Sequence, residues 1–392
     1  MLTHDGTIVI VGGSIAGVTA AEELRSAGHL GPIVMIDEQP HQPYARPPLS
    51  KAVLTGVDSV ESVALSPLQD SALTHMSDQR VVDVSIEGSA VILASGDRIR
   101  FDGLVIASGA RPITMADLGR NPDGVPEKVL RTVDDARAIR DALATASSVI
   151  VIGGGILGME LASAAVEAGA RTVVVSNEPP MRRQCGPFVS ALVQRRAEAR
   201  GVEFLIHPDG ARLVTNGSTP GVDTGGSTIT AELIVTAVGD SPNVDWLITS
   251  GLADRRGVQV DSRCRVTPTI VAAGDITTHG PSRRRHPHWS AAIDQGRTAA
   301  RALVLGDAAS GLHARPYFWT DQFGLALKMS GDMPFDGSST VIEGSLDEFS
   351  ALVQFSSDDG PVGALSLNRR VPMSRLHRIA APSRTTSEEV RT

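Results

Sequence analysis

The chain reads as short runs of β-branched and aliphatic residues, each closed by a glycine turn and followed by apolar residues at helical spacing. That alternation predicts strands joined by helical crossovers, the pattern of a parallel α/β fold. It occurs twice with the same punctuation. In the first copy a strand over 7–11 enters Gly12-Gly13-Ser14-Ile15-Ala16-Gly17, then a helix to about Gly28 and a strand over 33–37. In the second a strand over 149–152 enters Gly153-Gly154-Gly155-Ile156-Leu157-Gly158, then a helix to about Gly169 and a strand over 172–175. Between the copies lie a strand-rich stretch, 80–101, the run LVIASGARP, and a Pro/Gly-rich segment, 121–126, that reads as a crossover connection. Residues 216–227 read as a hairpin or loop, and after about residue 315 short alternating strands without a glycine-rich loop predict a separate α+β domain. The last dozen residues are expected to form a mobile tail.

Composition narrows the possibilities. A chain of 392 residues accommodates two or three domains, and 42% hydrophobic with 20% charged residues supplies large cores and excludes wholesale disorder. A net charge of -8 argues against a nucleic-acid binder while leaving room for a local basic patch. The two cysteines, Cys185 and Cys264, stand in no CxxC or metal-ligand spacing. This argues against a disulfide framework, a zinc site and a redox dithiol. No apolar run is long enough to span a bilayer, and the chain enters its first strand without a charged leader. A reducing, soluble compartment, the cytoplasm, is expected, and nothing in the chain specifies an oligomeric state.

Glycine is needed where a strand turns sharply, where backbone approaches a pyrophosphate and where helix packs on strand, with phosphates resting on the free N–H groups of the helix start. One such loop could be no more than a tight strand–helix turn. Two in strand–turn–helix context point to two dinucleotides. The second set, Gly153, Gly155 and Gly158, is complete, and the first carries Ser14 at its middle position. Asp37, twenty residues past Gly17, is placed to accept from a ribose 2′-hydroxyl, as FAD or NAD requires. The equivalent second-copy position is Ser176, followed by Asn177, with Arg182 and Arg183 close behind. A lost carboxylate and nearby guanidinium groups suit a 2′-phosphate and hence NADPH. Glu178 keeps NADH open.

The ordered set VGGSIAG, ARPPLSK (45–51), IASGARP, VIGGGILGME, AVGDSPN, VAAGDI and RPYFWTDQFG covers nearly the whole chain. With it the sequence resembles the FAD-dependent ferredoxin reductases of the two-dinucleotide-fold, glutathione-reductase-like superfamily, which serve bacterial cytochromes P450 and Rieske dioxygenases. The resemblance implies two Rossmann-like domains, an FAD domain (1–113 and 242–315) and an NAD(P) domain (114–241), plus a C-terminal α+β domain (316–392). It implies bound FAD held by Gly12, Gly13, Ser14, Ala16, Gly17, Asp37 and Glu38, with Val82, Ala107, Ser108, Gly109 and Arg111 around it. Asp275 would hold the ribitol, and Arg46, Pro47 and Lys51 would border the isoalloxazine. Trp289 and Trp319 are flavin-edge candidates that could equally be core. The nicotinamide coenzyme falls to Gly153, Gly155, Ile156, Leu157, Gly158, Ser176, Arg182, Arg183 and Gly239.

Lys51 and Glu160 are implied as a catalytic pair beside the flavin. The cation would stabilise negative charge on the reduced ring, and the carboxylate would limit its desolvation cost. The expected activity is hydride transfer from NAD(P)H to FAD, with electrons passed to an acidic [2Fe-2S] ferredoxin. Alternatives are a flavoenzyme acting on a small organic substrate and a flavin-binding signalling protein resembling apoptosis-inducing factor. The basic run Arg283-Arg284-Arg285-His286 reads as a solvated loop or a docking patch for the acidic partner, and His-Pro-His-Trp stands where the family's glutamate is usual.

Overall fold

The computed structural model describes residues 4–65, 70, 72–217, 219–313 and 316–381; the expected tail beyond 381 lies outside these. The chain divides into two compact units, one of 1–48, 58–112 and 240–314, the other of 49–57, 113–239 and 315–392.

The first unit is built on a six-stranded sheet in the order Arg265–Thr267, Ile270–Ala272, Gly103–Ile106, Ile8–Val11, Ile33–Ile36, Leu73–Met76. Its pairings are parallel except for that between the first two strands, with Ile8 opposite both Ile33 and Gly103. Alternate residues face opposite layers. Ile8 and Ile10 pack with the helices Ile15–Ser26 and Trp289–Leu305. Val9 and Val11 pack with Val81, Val91 and Leu93 of an antiparallel sheet, Val81–Ser85, Ala90–Leu93 and Arg98–Arg100. Both faces are therefore covered, which is why the central strands read as unbroken apolar runs. The two helices meet through small residues. A Cβ on Gly296 would lie 2.7 Å from the Ala16 carbonyl oxygen, so the close crossing fixes where the first helix begins.

The second unit repeats the plan with five parallel strands in the order Glu203–Ile206, Arg171–Ser176, Ser148–Ile152, Leu233–Thr236, Lys128–Val129. A three-stranded antiparallel sheet, Arg212–Asn216, Thr219–Asp223 and Thr228–Thr230, covers one face through Leu213 and Val222, resolving the 216–227 stretch as a hairpin. The same unit holds an antiparallel sheet in the order Tyr317–Gln322, Leu325–Gly331, Gly360–Leu367, Ser350–Ser357, Ser338–Ser345, backed by the helix Met373–Ala380.

This last sheet falls in the same compact unit as the second nucleotide fold. The physical reason is local. The helix Arg182–Glu198 is broken at Gly186, which has φ +84° and whose Cβ would lie 2.2 Å from the Phe335 carbonyl oxygen. Phe323 donates its backbone N–H to the Ser163 hydroxyl at 2.7 Å. Pro187 then restarts the helix where its missing N–H costs nothing. The short segment 49–57, assigned from sequence to the FAD domain, also joins this unit.

Candidate active site

Two glycine cradles are built alike. In the first, Gly12 has φ +115°, a Cβ there would lie 2.2 Å from the Ala107 carbonyl oxygen, and one on Gly17 would lie 2.0 Å from the Gly12 oxygen. In the second, Gly153 has φ +112° and the corresponding distances, to Ala237 and from Gly158 to Gly153, are 2.2 and 1.9 Å. Any side chain at these positions would force the strand, turn and helix apart. Gly12 donates to the Ile36 oxygen and Gly153 to the Val175 oxygen, each at 2.8 Å, so Asp37 and Ser176 occupy equivalent places.

Neither cradle helix, Ile15–Ser26 or Ile156–Glu167, has a side-chain cap or an acidic residue in its first turn. The helix Val133–Leu143, by contrast, carries a full Thr132/Asp135 capping box. The open N–H groups at Ile15 and Ile156 are what an anionic group requires. Beside the first cradle, Gly13, Ser14, Asp37, Gln39, Tyr44 and Arg46 line one cleft. Asp37 Oδ2 accepts from Gly13 N at 3.1 Å and Oδ1 from Gln39 N at 3.1 Å, leaving lone pairs for a diol. Cradle, open helix start, carboxylate and the Arg46 cation together fit a dinucleotide.

At the second cradle the carboxylate is gone. The Ser176 hydroxyl donates to the Glu178 carbonyl at 2.7 Å, and the Glu178 carboxylate pairs with Arg183 at 2.9 Å. Arg182 is exposed, and the Gln184 amide lies 3.3 Å from where a Gly155 Cβ would be.

Glu160, one turn into the second cradle helix, is 4% exposed and takes an ion pair from Lys51 Nζ at 2.7 Å. Its Oε1 also accepts from the Thr320 hydroxyl at 2.5 Å, and its Oε2 from the Ser50 hydroxyl. A buried carboxylate is tolerable because each oxygen is satisfied. Sequence reading found Lys51 and Glu160 but missed Ser50 and Thr320, although both lie inside quoted motifs. Nothing in their local spacing announces a partner 110 or 160 residues away.

Other expected residues are distributed unevenly. Ala16 and Ala107 are buried packing residues, and Val82 is 43% exposed on its strand. The Ser108 hydroxyl is engaged by Asn243 and Trp246, so its side chain serves the turn, and Arg111 pairs with Asp245 at 3.5 Å. Gly109 and Gly239 both hold positive φ at matching turns of the two units. Glu38 is exposed, and Pro47 opens a 3-10 turn to Ser50. Gly274, just before Asp275, donates to the buried Gln295 at 2.7 Å, a contact sequence reading did not find. Trp289 begins its helix after His288, and Trp319 stacks on Tyr317 at 6.0 Å.

Two arginines of the basic run are paired with carboxylates. Arg283 is paired with Asp254, and Arg285 with Asp240, while Arg285 also donates to the Asp275 carbonyl at 2.8 Å. Local charge density at 283–286 is thus largely neutralised by carboxylates distant in sequence.

Three histidines of the first unit carry a pH signature. Burial lowers the proton affinity of His29, helped by Arg25, and of His279 and His288, each helped by His286. The unfolded chain then binds more protons than the folded one below the ordinary value of 6.5, so stability falls as pH drops through it. Urea unfolding midpoints should decline from pH 7.5 to pH 5.5, the range about that value; a flat profile would contradict it.

Both cysteines are free and buried, and burial pushes each thiol up to about 12, which makes neither a ready nucleophile. Among the described residues no helix is long and apolar enough to cross a membrane.

Residues 6–296 match the pyridine nucleotide-disulphide oxidoreductase family, and 317–390 match the reductase C-terminal family. The chain is 29% identical to the 3-phenylpropionate/cinnamic acid dioxygenase ferredoxin–NAD(+) reductase component of Photorhabdus laumondii, over 96% of each chain. It is 33% identical to rhodocoxin reductase of Rhodococcus erythropolis, over 87% of this chain and 81% of that one. The solved ferredoxin reductase for the CYP199A2 system from Rhodopseudomonas palustris aligns with a TM-score of 0.83 at 32% identity, covering 93% of this chain and 91% of that one. With two dinucleotide cradles, a buried Lys–Glu pair and no reactive thiol, the chain belongs to the pyridine nucleotide-disulphide oxidoreductase family as a flavin- and nicotinamide-dependent oxidoreductase with a reductase-type C-terminal region.

Proposed function

We propose that the protein takes a hydride from NADPH onto FAD and delivers the electrons to a [2Fe-2S] ferredoxin serving a P450 or Rieske oxygenase in the cytoplasm. The observation that carries this reading is the buried Lys51–Glu160 pair on the second cradle helix. Flavin, when bound, supplies the conversion of a hydride into single electrons, and the chain supplies orientation and charge. The first cradle with Asp37 and Arg46 would hold the FAD pyrophosphate and ribose, and Asp275 the ribitol. The second cradle, with Ser176, Arg182 and Arg183, would hold NADPH. Lys51 would provide positive charge for a reduced isoalloxazine, and Trp289 and Trp319 are candidates for its edge. Two buried free thiols suit a reducing compartment.

The names of the relatives support a ferredoxin acceptor over a small organic one. An acidic ferredoxin would meet Arg284, the exposed arginine of the basic run. Steady-state turnover separates the acceptors. Turnover with NADPH should be fastest with a [2Fe-2S] ferredoxin, and faster turnover with oxygen or a quinone would overturn the reading.

A further inference from the structure

The strand Tyr317–Gln322 sends alternate side chains to opposite faces, and Thr320 and Gln322, both buried, face the second cradle helix. Their hydrogen bonds run in one direction. Gln322 Nε2 donates to the Met181 sulfur at 3.2 Å and to Thr320 Oγ1 at 3.1 Å, which commits both amide hydrogens. Thr320 therefore keeps its own hydrogen for Glu160 Oε1, at 2.5 Å, on the same oxygen that meets Lys51 Nζ at 2.7 Å. Among the described residues Gln322 Oε1 is buried without a hydrogen-bond partner. An apolar side chain would avoid that cost, and what the amide supplies in exchange is the pair of hydrogen bonds its donors make. Met181 in turn donates its backbone N–H to the Gly154 oxygen at 2.7 Å, tying the chain of bonds to the second glycine loop.

We propose that Thr320, oriented by Gln322, is a positioning residue that fixes the Glu160 carboxylate and through it the Lys51 ammonium. The C-terminal sheet thereby takes part in setting the charge used in hydride transfer. This rests on the reading of Lys51 and Glu160 as the reaction's charge pair.

The test uses the FAD-containing protein, with anaerobic flavin reduction followed against NADPH concentration and the flavin reduction potential measured alongside. Thr320→Val should lower the limiting rate about tenfold, leave the half-saturating NADPH concentration unchanged and make the potential more negative, while Thr320→Ser restores rate and potential. If Thr320→Val does not retain FAD, Gln322→Leu carries the same expectation by removing the donor that aims the hydroxyl. A Thr320→Val protein with native rate and potential, or a Thr320→Ser protein as impaired as Thr320→Val, would overturn the proposal. Lys51→Met separates the two readings. If it reacts at the native rate, the charge pair itself fails; if it is slow while Thr320→Val is native, only the positioning role fails.

Discussion

Replacing Lys51 with Met is expected to slow flavin reduction by NADPH roughly ten- to a hundredfold while FAD stays bound. The magnitude follows from one charge-assisted interaction, about 1.5–3 kcal/mol, being lost where negative charge develops. The effect should fall on the rate and not on FAD retention, because Lys51 belongs to neither glycine cradle. Its side chain is 16% exposed and sits 2.7 Å from Glu160, so the native pair is largely withdrawn from water. Methionine matches the apolar stem but leaves Glu160, among the described residues, with only the Ser50 and Thr320 hydroxyls as donors. Some loss of stability will accompany the change, since removing one partner strands a buried charge. Flavin content and the melting temperature, measured beside the stopped-flow rate, separate that loss from the kinetic one. A native reduction rate would place Lys51 outside the chemistry.

Coenzyme preference carries the second large effect. Asp37 and Ser176 end equivalent strands, and only the first bears a charge. A carboxylate at 176 would repel the nearly two negative charges of a 2′-phosphate, whereas Arg182 or Arg183 would attract them. The Arg183–Glu178 pair competes for one of these cations, but the Arg183 side chain is 70% exposed, and a solvent-facing pair is worth about 0–1 kcal/mol. A contact to phosphate is worth about 1.5–3 kcal/mol and should win. NADPH is therefore expected to exceed NADH in kcat/KM by at least about tenfold, with Ser176→Glu reversing the order. Glu178→Gln, which releases Arg183, should widen the native preference. A native preference for NADH would mean that Glu178, not Ser176, meets the ribose.

These expectations show where sequence was informative. Both cradles were legible because backbone geometry dictates glycine there: at Gly17 and Gly158 an added Cβ would fall within about 2 Å of a carbonyl oxygen. The equivalence of Asp37 with Ser176 followed from strand punctuation alone. The contacts that join the C-terminal sheet to the second nucleotide fold, such as Gly186 against Phe335, were not legible, because they have no local periodicity. The ion pairs of the basic run were hidden for the same reason. Arg283 and Arg285 meet Asp254 and Asp240, whose approach only the folded chain reveals. Ser50 and Thr320 show the limit most clearly, since a hydroxyl reveals its acceptor only through tertiary structure.

Electrons are expected to enter from a nicotinamide coenzyme and leave through a bound flavin. Anaerobic mixing of the purified protein with NADPH, followed at the flavin absorbance bands, tests it most directly. Stoichiometric non-covalent FAD is expected to bleach on mixing and to recolour when oxidised [2Fe-2S] ferredoxin is added. Folded protein that neither contains FAD nor binds it when supplied, or whose bound FAD is not bleached by NADPH or NADH, would contradict it.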